Sequence, residues 1–382
     1  MTLMLEIIFW SAAGLVAYVY IGYPILVYLV GRLFPRRVAG NTFEPTVSLI
    51  IAAYNEERDI GAKLQNTLEL EYPENRLEII VVSDCSSDRT DEIVREFSSS
   101  GVRLLRQSER RGKTAAQNAA VQTAKGEIIL FSDATSIYKA DVLREIMQNF
   151  ADPTVGCVAG RLVYVDKAGS GVGEGAKKYW SYETFLKENE SRACSLIGVS
   201  GCIYAVRRSA YVPMYEEACS DFLICTIVYR QGLRTVYQPS AVCYEDTNTR
   251  TTEEFRMRVR IISQTFTDLW RNRDMMNPLN AGFYAVQLLS HKLLRYAVPL
   301  FLIIMLVTSG ALVGSMFYAT IFALQLLFYF IAAGDWAIQK WGVDLRIATV
   351  PRYFCLANLA SVAGFYKFLK GERFARWEPI RD

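Results

Sequence analysis

Ser48-Leu-Ile-Ile-Ala-Ala-Tyr-Asn-Glu-Glu57 is an apolar run that stops in a polar turn. A short apolar run without alternation suits a strand covered on both faces. Asn55 and Glu56 then open a helix, with Asn as an ordinary N-cap as the competing reading. The same pattern recurs outward from this point. Val47–Ala53 reads as a strand and Glu57–Leu70 as a helix. Leu77–Val82 and Asp88–Ser98, Val102–Leu105 and Thr114–Thr123, and Glu127–Phe131 and Ala140–Phe150 repeat the pair. Strands alternating with helices predict an α/β domain with a mainly parallel, Rossmann-like sheet and helices on both faces. Ligands of such sheets lie beyond the carboxyl ends of the strands, so acidic residues just after strands are the first candidates for site residues.

The chain of 382 residues has room for one large domain and additional elements. Lys and Arg number 42 against 39 Asp and Glu, and a net charge of +3 argues against a nucleic-acid partner. Apolar residues make up 52% and mean hydropathy is +0.14, which suggests a water-soluble domain with membrane segments attached. The eight cysteines form no Cys-x-x-Cys pair and there is one histidine. That pattern speaks against a zinc site or a disulfide framework and for buried, reduced thiols.

The chain divides into three regions. Residues 1–37 hold a span, Ile7 to Gly31, free of charge over about 25 residues. A cleaved signal peptide fits poorly, because Glu6 and no basic stretch precedes the run. Arg32, Arg36 and Arg37 place the second region in the cytoplasm by the positive-inside rule. That region, residues 38–275, forms the soluble domain. In residues 276–382, Ala297 to Gly334 is charge-free over about 38 residues, about 57 Å as one helix, so a break near Gly310–Ser315 predicts a hairpin of two spans. Tyr284–Tyr296, with His291, Lys292 and Arg295 among apolar residues, predicts an amphipathic helix in the interface, with His291 an interfacial or structural group. Tyr353–Tyr366 is short and predicts a further interfacial segment; a full span would export Lys367, Lys370, Arg373 and Arg376. Gly171-Val-Gly-Glu-Gly-Ala176 fits a dinucleotide-binding spacing but lies far from the first strand–helix unit, and reads as a loop before a helix Ala176–Glu190.

Four clusters sit at the predicted strand ends. The first is the Tyr54-Asn55-Glu56 turn. In the second, Ile79-Ile-Val-Val-Ser-Asp-Cys-Ser-Ser-Asp-Arg-Thr90, Asp84 closes a strand and more polar side chains follow than one helix cap needs. The third, Arg110-Arg-Gly-Lys-Thr-Ala-Ala-Gln-Asn118, puts cations and a glycine before a helix, an arrangement that favours phosphate. It lacks the spacing of a Walker loop. In the fourth, Glu127-Ile-Ile-Leu-Phe-Ser-Asp-Ala-Thr135, the carboxylate of Asp133 comes after an apolar strand, where a hard cation could take it together with substrate phosphates.

In order, these clusters resemble the family 2 glycosyltransferases with a GT-A fold, the group of the cellulose, chitin and hyaluronan synthases. The resemblance runs from about residue 45 to 300. It implies nucleotide binding by Ala53, Tyr54, Asn55, Glu56 and Asp84. Lys113 matches a diphosphate-side lysine, and Asn118 joins the substrate-binding set. Asp133 matches the first Asp of the Asp-x-Asp metal motif and implies Mg²⁺ or Mn²⁺. Thr135 stands where the second Asp is expected. Downstream, Gly198-Val-Ser-Gly-Cys-Ile-Tyr-Ala-Val-Arg-Arg208 resembles the acceptor-side segment, bringing in Ser200, Gly201 and Arg207. Ala218-Cys-Ser-Asp-Phe222 puts Asp221 on the general base, with Ser220 in place of an acidic neighbour; a helix N-cap is the competing reading. Arg256, Arg258, Arg260, Gln264 and Trp270 lie in the region of the Gln-x-x-Arg-Trp motif at the wrong spacing, and the arginines could instead face anionic lipid.

The implied function is inverting transfer of a sugar from a nucleotide donor, UDP-linked by expectation, to a growing polysaccharide or a lipid-linked acceptor at the cytoplasmic face of the cell membrane. A polymerising version needs a homo-oligomer or a partner subunit, because about three spans are too few to line a channel. The rival of another class is an inactive membrane subunit that binds a nucleotide sugar within a polysaccharide assembly complex. Thr135, Ser220 and the broken arginine motif motivate it.

Overall fold

The computed structural model describes residues 2–165, 171–246, 251–338 and 348–376. The first element, α1 (Thr2–Leu33), is a long helix with a π-helical turn at Tyr18–Gly22. The α/β domain comes next: β1 (Val47–Ala53), α2 (Ile60–Leu68), β2 (Leu77–Ser83), α3 (Thr90–Glu96), β3 (Val102–Arg106), α4 (Lys113–Thr123), β4 (Ile128–Asp133), β5 (Ile137–Tyr138) and α5 (Val142–Met147). Then come β6 (Val155–Val165), α6 (Gly171–Ala193), β7 (Ile203–Arg207), α7 (Ser220–Arg230), β8 (Arg234–Asp246) and α8 (Thr251–Arg271). The chain closes on α9 (Phe283–Ala311), α10 (Met316–Ile338) and α11 (Thr349–Leu369).

The strands form one sheet in the order β3-β2-β1-β4-β7-β6-β8-β5. The first four are parallel, as the repeats predict; β7 runs antiparallel to β4 and to β6. Side chains alternate across β1, so Leu49 and Ile51 join one core with Ile60, Leu64 and Val94, while Ile50 and Ala52 join the other with Ala116, Ala120 and Ile224. Both faces are covered and the strands need apolar residues at every position. Helix α2 begins three residues later than the sequence suggests, because Asn55, Glu56 and Glu57 bond to the neighbouring Ser86–Thr90 turn instead of starting a helix.

Among the described residues, three helices are long and apolar enough to cross a membrane: α1, α9 and α10. The hairpin turns between Ala311 and Met316, as expected. The interfacial reading of Tyr284–Tyr296 is corrected: these residues are the beginning of α9, continuous with the span, and Tyr284, Leu288 and His291 are buried in protein. His291 Nδ1 lies 2.7 Å from a carboxylate oxygen of Glu190 and its Nε2 lies 3.3 Å from Glu183, both on α6. Arg295 pairs with Glu183, and the Tyr23 hydroxyl of α1 donates to Glu190. The Gly171–Ala176 stretch is also corrected: it is the first turns of α6 and not a loop. Helix α11 is not one of the three span candidates. It packs on α8, with Gly364 against Ile262 and Phe266 stacked near Phe365 and Phe368.

Candidate active site

The carboxyl ends of β1, β2 and β4 converge, and their turns are stitched together. Asn55 takes a left-handed conformation (φ 54°), which lets its Oδ1 accept from Ser87 N at 2.7 Å while its own N–H donates to Ser86 Oγ at 3.1 Å. Glu56 N–H donates to Thr90 Oγ1 at 2.7 Å. Ala53 closes β1, and its carbonyl accepts from Asp84 N at 2.9 Å. The Arg110 guanidinium lies 3.8 Å over the ring of Tyr54. Asp84 is fully buried; its Oδ1 accepts from Arg111 N at 2.9 Å and its Oδ2 from Gly112 N at 2.8 Å. Asp84 therefore holds the cationic loop at the start of α4.

That loop aims Lys113 at Asp133, and the two form an ion pair. Burial works against the ammonium, but the Asp133 carboxylate outweighs it and holds the Lys113 pKa above its usual value. A Cβ on Gly201 would lie 3.3 Å from Lys113 Nζ and 3.4 Å from Asp221 Oδ2. So the lysine, Asp133 and Asp221 gather around a residue that has no side chain. Asp221 lies in the first turn of α7 and is not its N-cap, a position held by Cys219, whose thiol donates to Asp221 Oδ1 at 3.0 Å. Ser200 Oγ accepts from the buried Lys187 Nζ of α6 at 2.8 Å.

Two expected residues fall elsewhere. Arg207 sits opposite Ile128, at the far end of β4 from Asp133, and its guanidinium donates to the carbonyls of Val155, Phe150 and Asp152. Asn118 spends its amide on Met214 and on the Tyr211 hydroxyl, bracing the loop that leads to α7. Two of the arginines for which a lipid-facing alternative was open face protein groups. Arg258 pairs with Glu254 and donates to the Tyr353 hydroxyl, and Arg260 lies within the fields of Asp221 and Asp133.

Three residues join the site without having been singled out. Glu245, near the end of β8, accepts from Thr135 Oγ1 at 3.0 Å; burial and then the charge of Asp133 push its pKa up to about 7. Glu245 obeys the same strand-end rule that found Asp133. Lys63 is fully buried beneath them, 3.4 Å from Ser136 Oγ and 3.5 Å over the Tyr138 ring, and burial lowers its pKa to about 8. Asp268 of α8 accepts from Cys219 N at 3.0 Å and from the Tyr215 hydroxyl, fixing the start of α7; burial raises its pKa to about 8. The C-terminal stretch completes the enclosure. Gln264 donates to the Phe374 carbonyl at 2.6 Å, Arg373 to Thr267 Oγ1 at 3.2 Å, and the Ala375 carbonyl lies directly over Gly112.

Residues 48–212 match the family model for glycosyl transferase family 2. Poly-beta-1,6-N-acetyl-D-glucosamine synthases of Staphylococcus aureus and Staphylococcus epidermidis are 25% identical over 233 residues, 59% of this chain. The chain spans about half the length of these relatives (52%). Among solved structures, a mannosyltransferase from Pyrobaculum calidifontis in complex with GDP-Man and Mn²⁺ is 25% identical. It superposes with a TM-score of 0.72 over 97% of this chain and all (100%) of that one. The sheet, the strand-end carboxylates and the match over residues 48–212 agree on a glycosyltransferase domain of GT-A fold that is similar to glycosyl transferase family 2.

Proposed function

We propose that the chain is a membrane-bound inverting glycosyltransferase. It moves a sugar from a nucleoside-diphosphate donor to a polysaccharide or lipid-linked acceptor at the cytoplasmic membrane face. The observation that carries this reading is the gathering of Lys113, Asp133 and Asp221 around Gly201. The stitched turns of Ala53–Glu56 and Asp84 support a nucleotide site at the strand ends, and the three candidate spans support attachment to a membrane with more than one crossing.

Asp221 takes the proton of the acceptor hydroxyl as its oxygen attacks the anomeric carbon. The bond from that carbon to the diphosphate breaks in the same step, so the configuration inverts. Lys113 neutralises the departing diphosphate. Asp133 offers oxygen donors suited to Mg²⁺ or Mn²⁺, a cation that supplies further positive charge for the leaving group when bound. The loop from Gly198 to Cys202, held by Lys187 at Ser200, forms the acceptor side.

The test is turnover of a panel of UDP- and GDP-sugars by the full chain in detergent, wild type against Asp221→Asn. Loss of transfer by about 10²-fold or more, with nucleotide binding retained, is the expected result. Equal turnover removes Asp221 as the base. No turnover with any donor favours the inactive subunit. Product length separates a polymerase from a single transfer.

A further inference from the structure

The site has one carboxylate fewer after β4 than its family resemblance implies, because residue 135 is threonine. We infer that Glu245 of β8 supplies the missing carboxylate, so that Asp133 and Glu245, from strands distant in sequence, together hold the divalent cation. This goes beyond the proposed function and rests on it for the presence of a cation.

The placement comes from strand pairing. Strand β5 runs antiparallel to β8 with Ile137 opposite Tyr244 and Tyr138 opposite Cys243. Continuing that register puts Glu245 opposite Ser136, one residue from Thr135. The 3.0 Å bond from Thr135 Oγ1 to Glu245 Oε1 is the result. The Glu245 carboxylate thus reaches the neighbourhood of residue 135, just beyond β4, where the resemblance implies a second aspartate. One oxygen of Glu245 takes the threonine hydroxyl, and a carboxylate has further lone pairs to give. Two carboxylates and a hydroxyl are hard oxygen donors of the kind Mg²⁺ and Mn²⁺ prefer, and one or two protein carboxylates beside substrate phosphates are sufficient. Buried Lys63 beneath the pair offsets part of their charge before a cation arrives.

The threonine and the glutamate are then a compensated pair, and compensation gives the test. Mn²⁺ binding to the full chain in detergent is read by electron paramagnetic resonance, alone and with UDP or GDP. Four proteins are compared: wild type, Glu245→Gln, Thr135→Asp and the double variant. Glutamine keeps the acceptor for Thr135 and removes the charge. Outer-sphere partners of metal ligands typically cost about 10–100-fold in affinity, so loss of a direct carboxylate is expected to weaken Mn²⁺ at least about tenfold. Thr135→Asp in the Glu245→Gln background restores binding. Unfolding temperatures in metal-free buffer, unchanged across the set, show that the fold is intact.

Mn²⁺ binding to Glu245→Gln at wild-type affinity overturns the inference, as does failure of Thr135→Asp to restore it. Wild type that transfers sugar while its Mn²⁺ affinity ignores Glu245→Gln sinks the ligand assignment alone. Wild type that binds Mn²⁺ through Glu245 and transfers no sugar from any donor sinks the proposed function and leaves the ligand pair standing.

Discussion

Gly112→Ala is the sharpest test of how the donor loop is enclosed. Gly112 has φ 101° and ψ 166°, a region that essentially only glycine occupies. Forcing alanine into it costs about 1–3 kcal/mol. A methyl group there would also overlap the Ala375 carbonyl oxygen and lie 2.7 Å from its carbon, both backbone atoms that cannot rotate away. The C-terminal stretch must then lift, breaking the Gln264–Phe374 and Arg373–Thr267 bonds at about 0.5–1.5 kcal/mol each. The total is about 2–6 kcal/mol. Gly101 is the matched control: it also has positive φ (84°), but nothing lies within 4 Å of an added Cβ. Gly101→Ala is therefore expected to cost only about 1–2 kcal/mol. The assay is thermal unfolding of both variants in detergent, with UDP and GDP affinities measured alongside. Because Gly112 N–H holds Asp84 and precedes Lys113, only Gly112→Ala is expected to lose nucleotide affinity, by about tenfold for each 1.4 kcal/mol of loop distortion. Equal melting and equal affinity of the two variants would refute the enclosure of the loop by residues 372–376.

Buried groups give two further expected outcomes. His291→Leu leaves Glu183 and Glu190 buried with fewer partners, and breaking a buried pair costs about 3–5 kcal/mol, so unfolding temperature in detergent should fall clearly while nucleotide affinity changes little; an unchanged melting temperature contradicts the pairing. Asp268 holds its proton to about pH 8 when folded, against about 3.9 unfolded. The folded state binds that proton more tightly, so this contribution to stability is fully present below about pH 4 and is lost as pH rises through about 8. Wild type should lose stability across that window, and Asp268→Asn should flatten the slope; parallel pH profiles would rule the assignment out.

Much of this architecture is readable from local pattern. The four parallel strands, β1 to β4, were legible to within about two residues because each apolar run ends where backbone leaves the sheet and polar side chains begin. Asp84, Asp133 and Asp221 were legible as candidates because each closes a strand or opens a helix. What escaped depends on partners distant in the chain. The antiparallel β7 has no local mark, and Arg207 was misplaced because its end of the sheet depends on that direction. Glu245 satisfied the strand-end rule but belonged to no strand–helix repeat. Asp268 and Lys187 lie within helices, where charged residues ordinarily face water. For His291 the sequence left an interfacial group and a structural contact both open, because the carboxylates that receive it belong to α6, about a hundred residues earlier.

Helix α6 joins parts usually thought of as separable. One stretch of it sends Glu183 and Glu190 to α9, Glu190 also to Tyr23 of α1, and Lys187 to the loop beside the proposed base. Membrane helices and catalytic domain therefore share a polar core, and the anchor is not a tether. A domain exchanged onto a foreign anchor, or trimmed to a soluble form, would carry orphaned charges a few residues from its acceptor loop. A substitution in the spans therefore changes the partners of α6, and one in α6 changes those of the spans.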